Sequence, residues 1–317
     1  MPNIINNVAM KIRQGFSLVD DTNTLAPLIS PEESELIKQY ALQNIQQQTH
    51  NKELNTTLLG DLASRNIGSG SDFDQYRRYQ TGDDSRLINW RVYARTEKLH
   101  VNIYHEDKQP STYIVINRGA SMRFGTRESL KVKQAARIAN YHFYLCTLQH
   151  LPIGAVVIDD KIDWHAESNA SASHTHLLNA INQSCPPTQD SEQISSEQTL
   201  SYINKNCQAG SNIILISDFI DTGNNYQSLL YQCAEKYNII AYSVSDPIEH
   251  QLPKKGYFKI YAGINKPAIN INCNDASIKG HYKALMSKKT AELNQVFSSC
   301  GINCVNISTE DKLFNNE

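Results

Sequence analysis

Two stretches decide the fold, and they read YIVINRGASM at residues 113–122 and NIILISDFID at residues 212–221. Each begins with a short apolar run and then passes into polar and small residues, which is typical of a buried strand followed by a loop. Further apolar runs at Ile153–Ile158, Ile239–Val244 and Asn303–Ile307 alternate with amphipathic stretches. This alternation predicts an α/β fold in which a doubly wound, mainly parallel sheet carries helices on both faces.

The helices predicted between these strands cover Glu128–Leu148, Thr175–Gln183, Glu197–Asn206, Asn225–Lys236 and Ser277–Ser299. An earlier helix is predicted from Pro31 to Gln48, because Ser30 suits an N-cap and Pro31 suits the first helical position.

Three parts are expected along the chain. Residues 1–30 are a polar N-terminal segment, residues 31–110 form an N-terminal extension, and residues 111–310 form the α/β domain. We expect the extension, whose second half shows no clean period, to pack on the edge of the domain.

The composition excludes several classes of protein. The 317 residues include 30 Lys and Arg against 32 Asp and Glu, so there is no basic excess to attract nucleic acid or anionic lipid. The apolar runs are too short to cross a bilayer, and the N-terminus lacks the pattern of a signal peptide. Seven scattered cysteines suit a reducing compartment. We therefore expect a cytoplasmic protein with no direct membrane insertion.

Two polar clusters follow strand ends, one beginning at Asn117 and the other at Asp218. In open parallel sheets ligands bind at the carboxyl ends of the strands, near the point where the strand order reverses. Oxygen-bearing side chains at such a place suit a hard cation such as Mg²⁺. The same residue types also cap helices and form turns, and the residues alone leave both interpretations open.

Acidic and basic residues alternate in a second constellation. Arginine–carboxylate pairs in fixed geometry would make it a structural network that holds the extension together. The alternative is a phosphate- or acid-binding patch on its arginines, but the interleaved acids largely neutralise their charge. The predicted network contains Asp72, Arg77, Arg78, Asp83, Asp84, Arg86, Trp90, Arg91 and Arg95.

The same stretch resembles the signature of the domain-of-unknown-function family numbered fifty-eight. In that family an acidic-aromatic step, an R-x-Y, a G-D-D-x-R-x-I-D-W and an A-R follow one another, and here they read DF, RRY, GDDSRLINW and AR. Later steps of the family match residues 117–125, 217–219 and 246–253, so that the resemblance covers roughly Leu58–Ile307.

That family is similar to von Willebrand factor A domains, whose metal-ion-dependent adhesion site holds magnesium through D-x-S-x-S, a distant Thr and a later Asp. Carried over to this chain, the resemblance implies a partner-binding site at Asn117, Arg118, Gly119, Ser121, Thr175 and Asp218. Asn117 replaces a carboxylate and Gly119 replaces a hydroxyl, so we expect a degenerate site. Magnesium should bind weakly at Ser121 and Asp218 or not at all. Arg118 either points into the site in place of the cation or faces solvent.

The resemblance also implies a function. Such proteins act as non-enzymatic adaptors or co-chaperones with a MoxR-type AAA+ ATPase, on client proteins that the sequence does not identify. The competing hypothesis is a metal-dependent hydrolase that uses Asp218 and Asp221 at the strand ends.

Overall fold

The computed structural model describes residues 11–12, 26–50, 73–80, 88–104, 110–126, 129–185, 194–261 and 269–314. The chain divides into two compact units. The larger unit contains Met1–Leu54 and Pro110–Glu317, and the smaller contains Asn55–Gln109.

The elements follow one another in an order that alternates strands and helices over most of the larger unit. They are β1 (Lys11–Ile12), α1 (Pro31–His50), β2 (Phe73–Arg78), α2 (Trp90–Thr96), β3 (His100–Tyr104), β4 (Thr112–Asn117), α3 (Lys131–Leu148), β5 (Ile153–Ile158), β6 (Ile162–Ser168), α4 (Ser171–Asn182), α5 (Ser196–Asn206), β7 (Asn212–Ser217), α6 (Tyr226–Lys236), β8 (Asn238–Ser245), α7 (Pro247–His250), β9 (Tyr257–Tyr261), β10 (Ile269–Asn272), α8 (Ala276–Ser299) and β11 (Asn303–Ser308).

The main sheet has six strands in the order β11-β8-β7-β4-β5-β6. All neighbouring pairs are parallel except β5 and β6, which pair antiparallel at one edge. If the six strands of this sheet are renumbered 1 to 6 in chain order, their spatial order is 3-2-1-4-5-6, which is a doubly wound arrangement. Its switch point lies between strands 1 and 4, which are β4 and β7. The predicted fold class is confirmed.

Helices cover both faces of this sheet. On one face, Tyr113 and Val115 of β4 join a buried cluster with Leu200 of α5, Leu230 of α6 and Phe297 of α8. The opposite face is covered by α3, which packs on β4, β5, β7, β8 and β11. Successive side chains of a strand point to opposite faces, so continuous apolar strands such as β5 and β7 are buried on both sides.

Helix α1 confirms the predicted helix and packs on α3. Its N-cap forms as expected, because the Ser30 hydroxyl accepts a hydrogen bond from the Glu33 backbone N–H at 3.2 Å. The Glu33 carboxylate then pairs with Arg137 of α3, and Asn44 donates to the hydroxyl of Tyr141. We expected this helix in the N-terminal extension, but these contacts place it in the larger unit.

Several elements were not predicted. The antiparallel edge strand β6 is only half-buried, and β9 pairs antiparallel with β10 and β1 in a separate sheet. The smaller unit contains the antiparallel pair β2–β3 and the short helix α2, whose N-cap Asn89 accepts from the Val92 N–H at 3.0 Å. Among the described residues, none of the helices combines the length and the apolar character that a membrane span requires.

Candidate functional site

The switch point of the sheet brings the two predicted polar clusters together. Strand β4 ends at Asn117 and its neighbour β7 ends at Ser217. The side-chain amide of Asn117 donates to the Ser217 hydroxyl at 3.0 Å, and its oxygen accepts from the Gly119 N–H at 2.8 Å. Asn117 therefore joins the two strand ends and closes its own turn, which is the turn-forming role that we had left open.

Arg118 occupies neither of the places that we expected for it. It is 1% exposed, and its Nη1 donates to the carbonyl oxygens of Ala180 at 2.5 Å and Ile181 at 3.3 Å, near the end of α4. Its Nε lies 3.4 Å from an Asp159 carboxylate oxygen. A guanidinium at a helix C-terminus satisfies carbonyls that have no partner within the helix. Arg118 therefore secures α4, and it neither replaces a cation at Asp218 nor faces solvent.

A lysine that sequence reasoning missed is paired with Asp218. Lys131 is the first residue of α3 and is fully buried. Its Nζ lies 2.9 Å from an Asp218 oxygen and 2.6 Å from a Glu249 oxygen. Burial by itself lowers the pKa of Lys131, but the two carboxylates together outweigh it and raise that pKa above its ordinary value. Lys131 is therefore held as an ammonium ion.

One sequence signal could have drawn attention to Lys131. Spacings of three and four place Lys131, Ala135, Ile138 and His142 on one face of α3, and all four are buried. A cation is also unfavourable in the first turn of a helix, where the dipole favours negative charge. A lysine at that position on an apolar face needs a local anion, which indicates a buried ion pair.

Glu249 is held in place by the end of strand β8. Its second carboxylate oxygen accepts from the Asp246 N–H at 3.0 Å in the capping box of α7. Burial raises the pKa of Glu249, and the charge of Lys131 opposes that rise. Asp246 is itself fully buried and accepts hydrogen bonds from the Thr126 N–H at 2.9 Å and the Thr309 hydroxyl at 2.8 Å. The carboxyl ends of β8 and β11 are thus tied to the loop before α3.

The other predicted members of the site lie in different surroundings. Thr175 is exposed on α4, and its hydroxyl donates to the Ser171 carbonyl of its own helix at 3.2 Å. Gly119 is buried behind Asn117, while Ser121 is half-buried in the loop after β4. Within the part of the chain that the structure describes, Thr175 and Asp218 form no hydrogen bond with each other.

The donor set does not fit a resident magnesium ion. Mg²⁺ is bound mainly by carboxylate and water oxygens, but Asp218 supplies the only carboxylate of the predicted set and is paired with Lys131. The Asn117 oxygen is used by a backbone N–H, and Gly119 has no side chain to offer. Within the described ranges, no group of three His, Cys, Asp or Glu side chains has the arrangement of a metal site.

The hydrolase hypothesis requires Asp218 and Asp221 to act together. Asp218 is held in the ion cluster, with a side chain that is 3% exposed, while Asp221 lies on the exposed loop after β7. A cavity of about 20 Å³ beside Asn117 and Ser217 is large enough for about one water molecule. The geometry at the switch point therefore does not favour catalysis on an organic substrate.

The predicted Arg/Asp/Trp network is described only in part. Trp90, Arg91 and Arg95 lie on α2, where all three are exposed, and the Trp90 ring packs edge-on against Tyr93. Arg78 is exposed on β2, and Arg77 lies on β2 opposite Val101. The remaining members lie outside the described residues, and they are Asp72, Asp83, Asp84 and Arg86.

These features define an α/β protein with a doubly wound sheet whose carboxyl edge is closed by an internal ion cluster. The family model described as "Protein of unknown function DUF58" matches residues 75–292, well over half of the chain. The chain belongs to this family, which confirms the family that the sequence predicted.

Named relatives and structures extend the comparison. The chain is 23% identical over 266 residues to the uncharacterized protein Mb1516 of Mycobacterium bovis, which covers 83% of this chain and 82% of that protein. BatB from Bacteroides thetaiotaomicron is 14% identical, with a TM-score of 0.36 and coverage of 61% of this chain and 98% of that one. A von Willebrand factor type A protein from Catenulispora acidiphila is 10% identical, with a TM-score of 0.33 and coverage of 46% and 35%.

Proposed function

We propose that this chain is a non-enzymatic, cytoplasmic protein-binding adaptor or co-chaperone that acts with a MoxR-type AAA+ ATPase on client proteins. The observation that carries the proposal is the state of the switch point, where Asn117 is bonded to Ser217 and Asp218 to Lys131. Buried polar groups that neutralise one another in this way stabilise the edge of the sheet rather than activate a nucleophile or a water molecule. Family membership supports a binding role, and the resemblance at residues 70–95 suggests the ATPase.

The cytoplasmic assignment is supported by the cysteines. All seven are free thiols, which is typical of a protein kept in a reducing compartment.

The surface that we propose for the contact differs from the predicted set of residues. Arg118 and Gly119 are buried, so neither can meet a partner directly. Around the switch point, exposed residues of the carboxyl edge include the loop of residues 221–225 after β7, together with Asp160 and Lys161 after β5. The half-buried Ser121 lies on the loop that follows the strand between them. We call this the carboxyl-edge surface.

The test is a pull-down with the tagged full chain from the host lysate, in buffer that contains magnesium and nucleotide. We expect recovery of an AAA+ ATPase, identified by mass spectrometry. Asn224→Arg on the carboxyl-edge surface should reduce that recovery at least tenfold, because a long cation would enter the interface. The matched control is Gln208→Arg, an exposed position before β7 at the opposite end of the sheet, which should bind like the wild type.

Two results would contradict the proposal in different ways. If no AAA+ ATPase is recovered by the wild type, the proposed partner is wrong. If Asn224→Arg recovers the ATPase as well as the control does, the partner stands but the surface is wrong. Metal-dependent hydrolysis of generic phosphate or ester substrates that is lost in Asp221→Ala would instead support an enzyme.

A further inference from the structure

Three elements bring their charges to one buried point at the carboxyl edge of the sheet. Lys131 comes from the first turn of α3, Asp218 follows β7, and Glu249 lies on α7 after β8. The exposed fractions of the three side chains are 0%, 3% and 16%. At 2.9 Å and 2.6 Å the ammonium contacts both carboxylates directly, so no second ion fits between them.

The charge balance explains why these groups are found together. Two buried carboxylates repel each other and each loses hydration, so together they require a cation. A divalent ion is one solution to this requirement, and a lysine ammonium is another. An ammonium on a helix is fixed by the backbone and present in every folded molecule, whereas a metal ion must be taken from solution.

We propose that Lys131 is the resident cation of this edge and makes a divalent metal ion unnecessary there. Two further features support the assignment. Glu249 is held by the Asp246 N–H through its other oxygen, and Asp246 is fixed in turn by Thr126 and Thr309. Glu249 is therefore positioned independently of Lys131, and Asp218 and Glu249 lack a cation if the lysine is removed.

A direct consequence is that removal of the ammonium creates a metal site. In Lys131→Ala the Cγ, Cδ, Cε and Nζ atoms are missing, and the carboxylates of Asp218 and Glu249 then face the vacated space, where we expect an ion to bind. Oxygen ligands of this kind suit Mn²⁺, Mg²⁺ and Ca²⁺. The matched control is Lys131→Met, which also lacks the charge but fills the space. A second control, Lys131→Ala with Asp218→Asn, leaves the space but removes a ligand.

The experiment is thermal unfolding of the full chain, with millimolar Mn²⁺ or with a chelator. The wild type should unfold at the same temperature in both buffers. Lys131→Ala should be strongly destabilised with the chelator and should regain several degrees with Mn²⁺. Neither Lys131→Met nor the double variant should respond to the ion.

Every outcome decides the proposal. A Lys131→Ala chain that gains nothing from Mn²⁺, whether folded or unfolded, overturns it. An independent measurement on the wild type is Mn²⁺ binding followed by electron paramagnetic resonance. Mn²⁺ that the wild type binds and Asp218→Asn does not overturns the proposal. No bound ion at millimolar concentration, or a bound ion that persists in Asp218→Asn and so lies elsewhere, supports it. The test involves no partner protein, so its failure is distinct from failure of the adaptor proposal.

Discussion

Arg118, Lys131 and His142 are all almost completely buried, and each resolves the cost of burial in a different way. Arg118 donates to helix carbonyls, and Lys131 is neutralised by two carboxylates. The His142 ring packs against Tyr141 and Tyr242, and its Nε2 lies 2.9 Å from the Tyr242 hydroxyl, with no carboxylate partner among the described residues. A buried imidazole without an anion favours its neutral form.

His142 therefore makes the protein sensitive to acid. Burial lowers the pKa of His142 from 6.5 to about 3, so the unfolded chain binds a proton that the folded chain excludes between these values. Above pH 6.5 His142 is neutral in both states, and the free energy of unfolding is not reduced. As the pH falls from 6.5 towards 3, the unfolded chain gains the proton and the free energy of unfolding decreases. At about pH 4.5 the loss from this one group is roughly 2–3 kcal/mol, from about 1.4 kcal/mol per pKa unit.

Urea unfolding near neutral pH and near pH 4.5 measures this effect. His142→Gln should lose less stability between the two values than the wild type, even if it is less stable at neutral pH. His176→Gln, at an exposed position on α4, should follow the wild type. A wild-type acid loss that persists unchanged in His142→Gln would show that the imidazole is not its source.

At the scale of elements, two glycines are present for different reasons. One lies where neighbouring strands approach closely, and the other lies in a helix with open space around it. Gly154 lies in β5 at an irregularity of its pairing with β6. A Cβ there would lie 2.7 Å from the His165 carbonyl oxygen and 2.9 Å from the Tyr113 ring, closer than real contacts allow. Gly280 lies inside helix α8, and a Cβ there would meet nothing within 4 Å.

Gly154→Ala and Gly280→Ala should therefore have opposite effects on the free energy of unfolding. Gly154→Ala pushes the edge strand β6 away and should cost about 1–3 kcal/mol. Gly280→Ala should stabilise by about 0.5–1 kcal/mol, because alanine loses less conformational entropy in a helix. Denaturant titration of both variants checks the pair, and equal destabilisation by both would contradict the packing at β6.

The helix boundaries show how tertiary contacts shift local signals. Helix α3 begins at Lys131 rather than at the predicted Glu128, and its N-cap Leu130 makes no side-chain cap. The Lys131 and Val132 N–H groups donate instead to the Phe124 and Met122 carbonyls of the preceding loop, both at 2.8 Å. The loop thus satisfies the first turn, a role that sequence rules assign to a polar N-cap.

At the scale of the whole molecule, the burial of the thiols indicates how well the core excludes solvent. Five cysteines are buried, and Cys300 and Cys304 are half-buried near the end of α8. Burial raises the pKa of Cys146 and of Cys304 to about 11, which leaves little reactive thiolate at neutral pH. Reaction with DTNB should therefore be slow in the native protein and should reach seven thiols in denaturant.

Cys300 should account for the first native reaction, because it is half-buried at the C-cap of α8, whereas burial raises the pKa of the other half-buried thiol, Cys304. Cys300→Ser should remove that first phase and leave the slow remainder. Rapid reaction of several thiols in the native protein would mean that the core opens more readily than this packing implies.

The sequence by itself determined the succession of elements in the α/β unit. Strands such as β5 and β7 are apolar runs buried on both faces, and α1 carries its own N-cap at Ser30, so each can be recognised from local residues alone. Strand β6 was missed because it is a half-exposed edge without an apolar run. The position of Asn117 and Asp218 at one edge also followed from the sequence, because parallel strands end on the same side.

Only the tertiary structure decided what closes that edge. Lys131 lies 87 residues from Asp218 and 118 residues from Glu249, so no local pattern pairs them. The direction of Arg118 likewise depends on the C-terminal end of α4, more than 60 residues further along. Periodicity reflects the side of an element that each residue occupies, whereas an ion cluster depends on which distant chain segments meet and on how completely they exclude water.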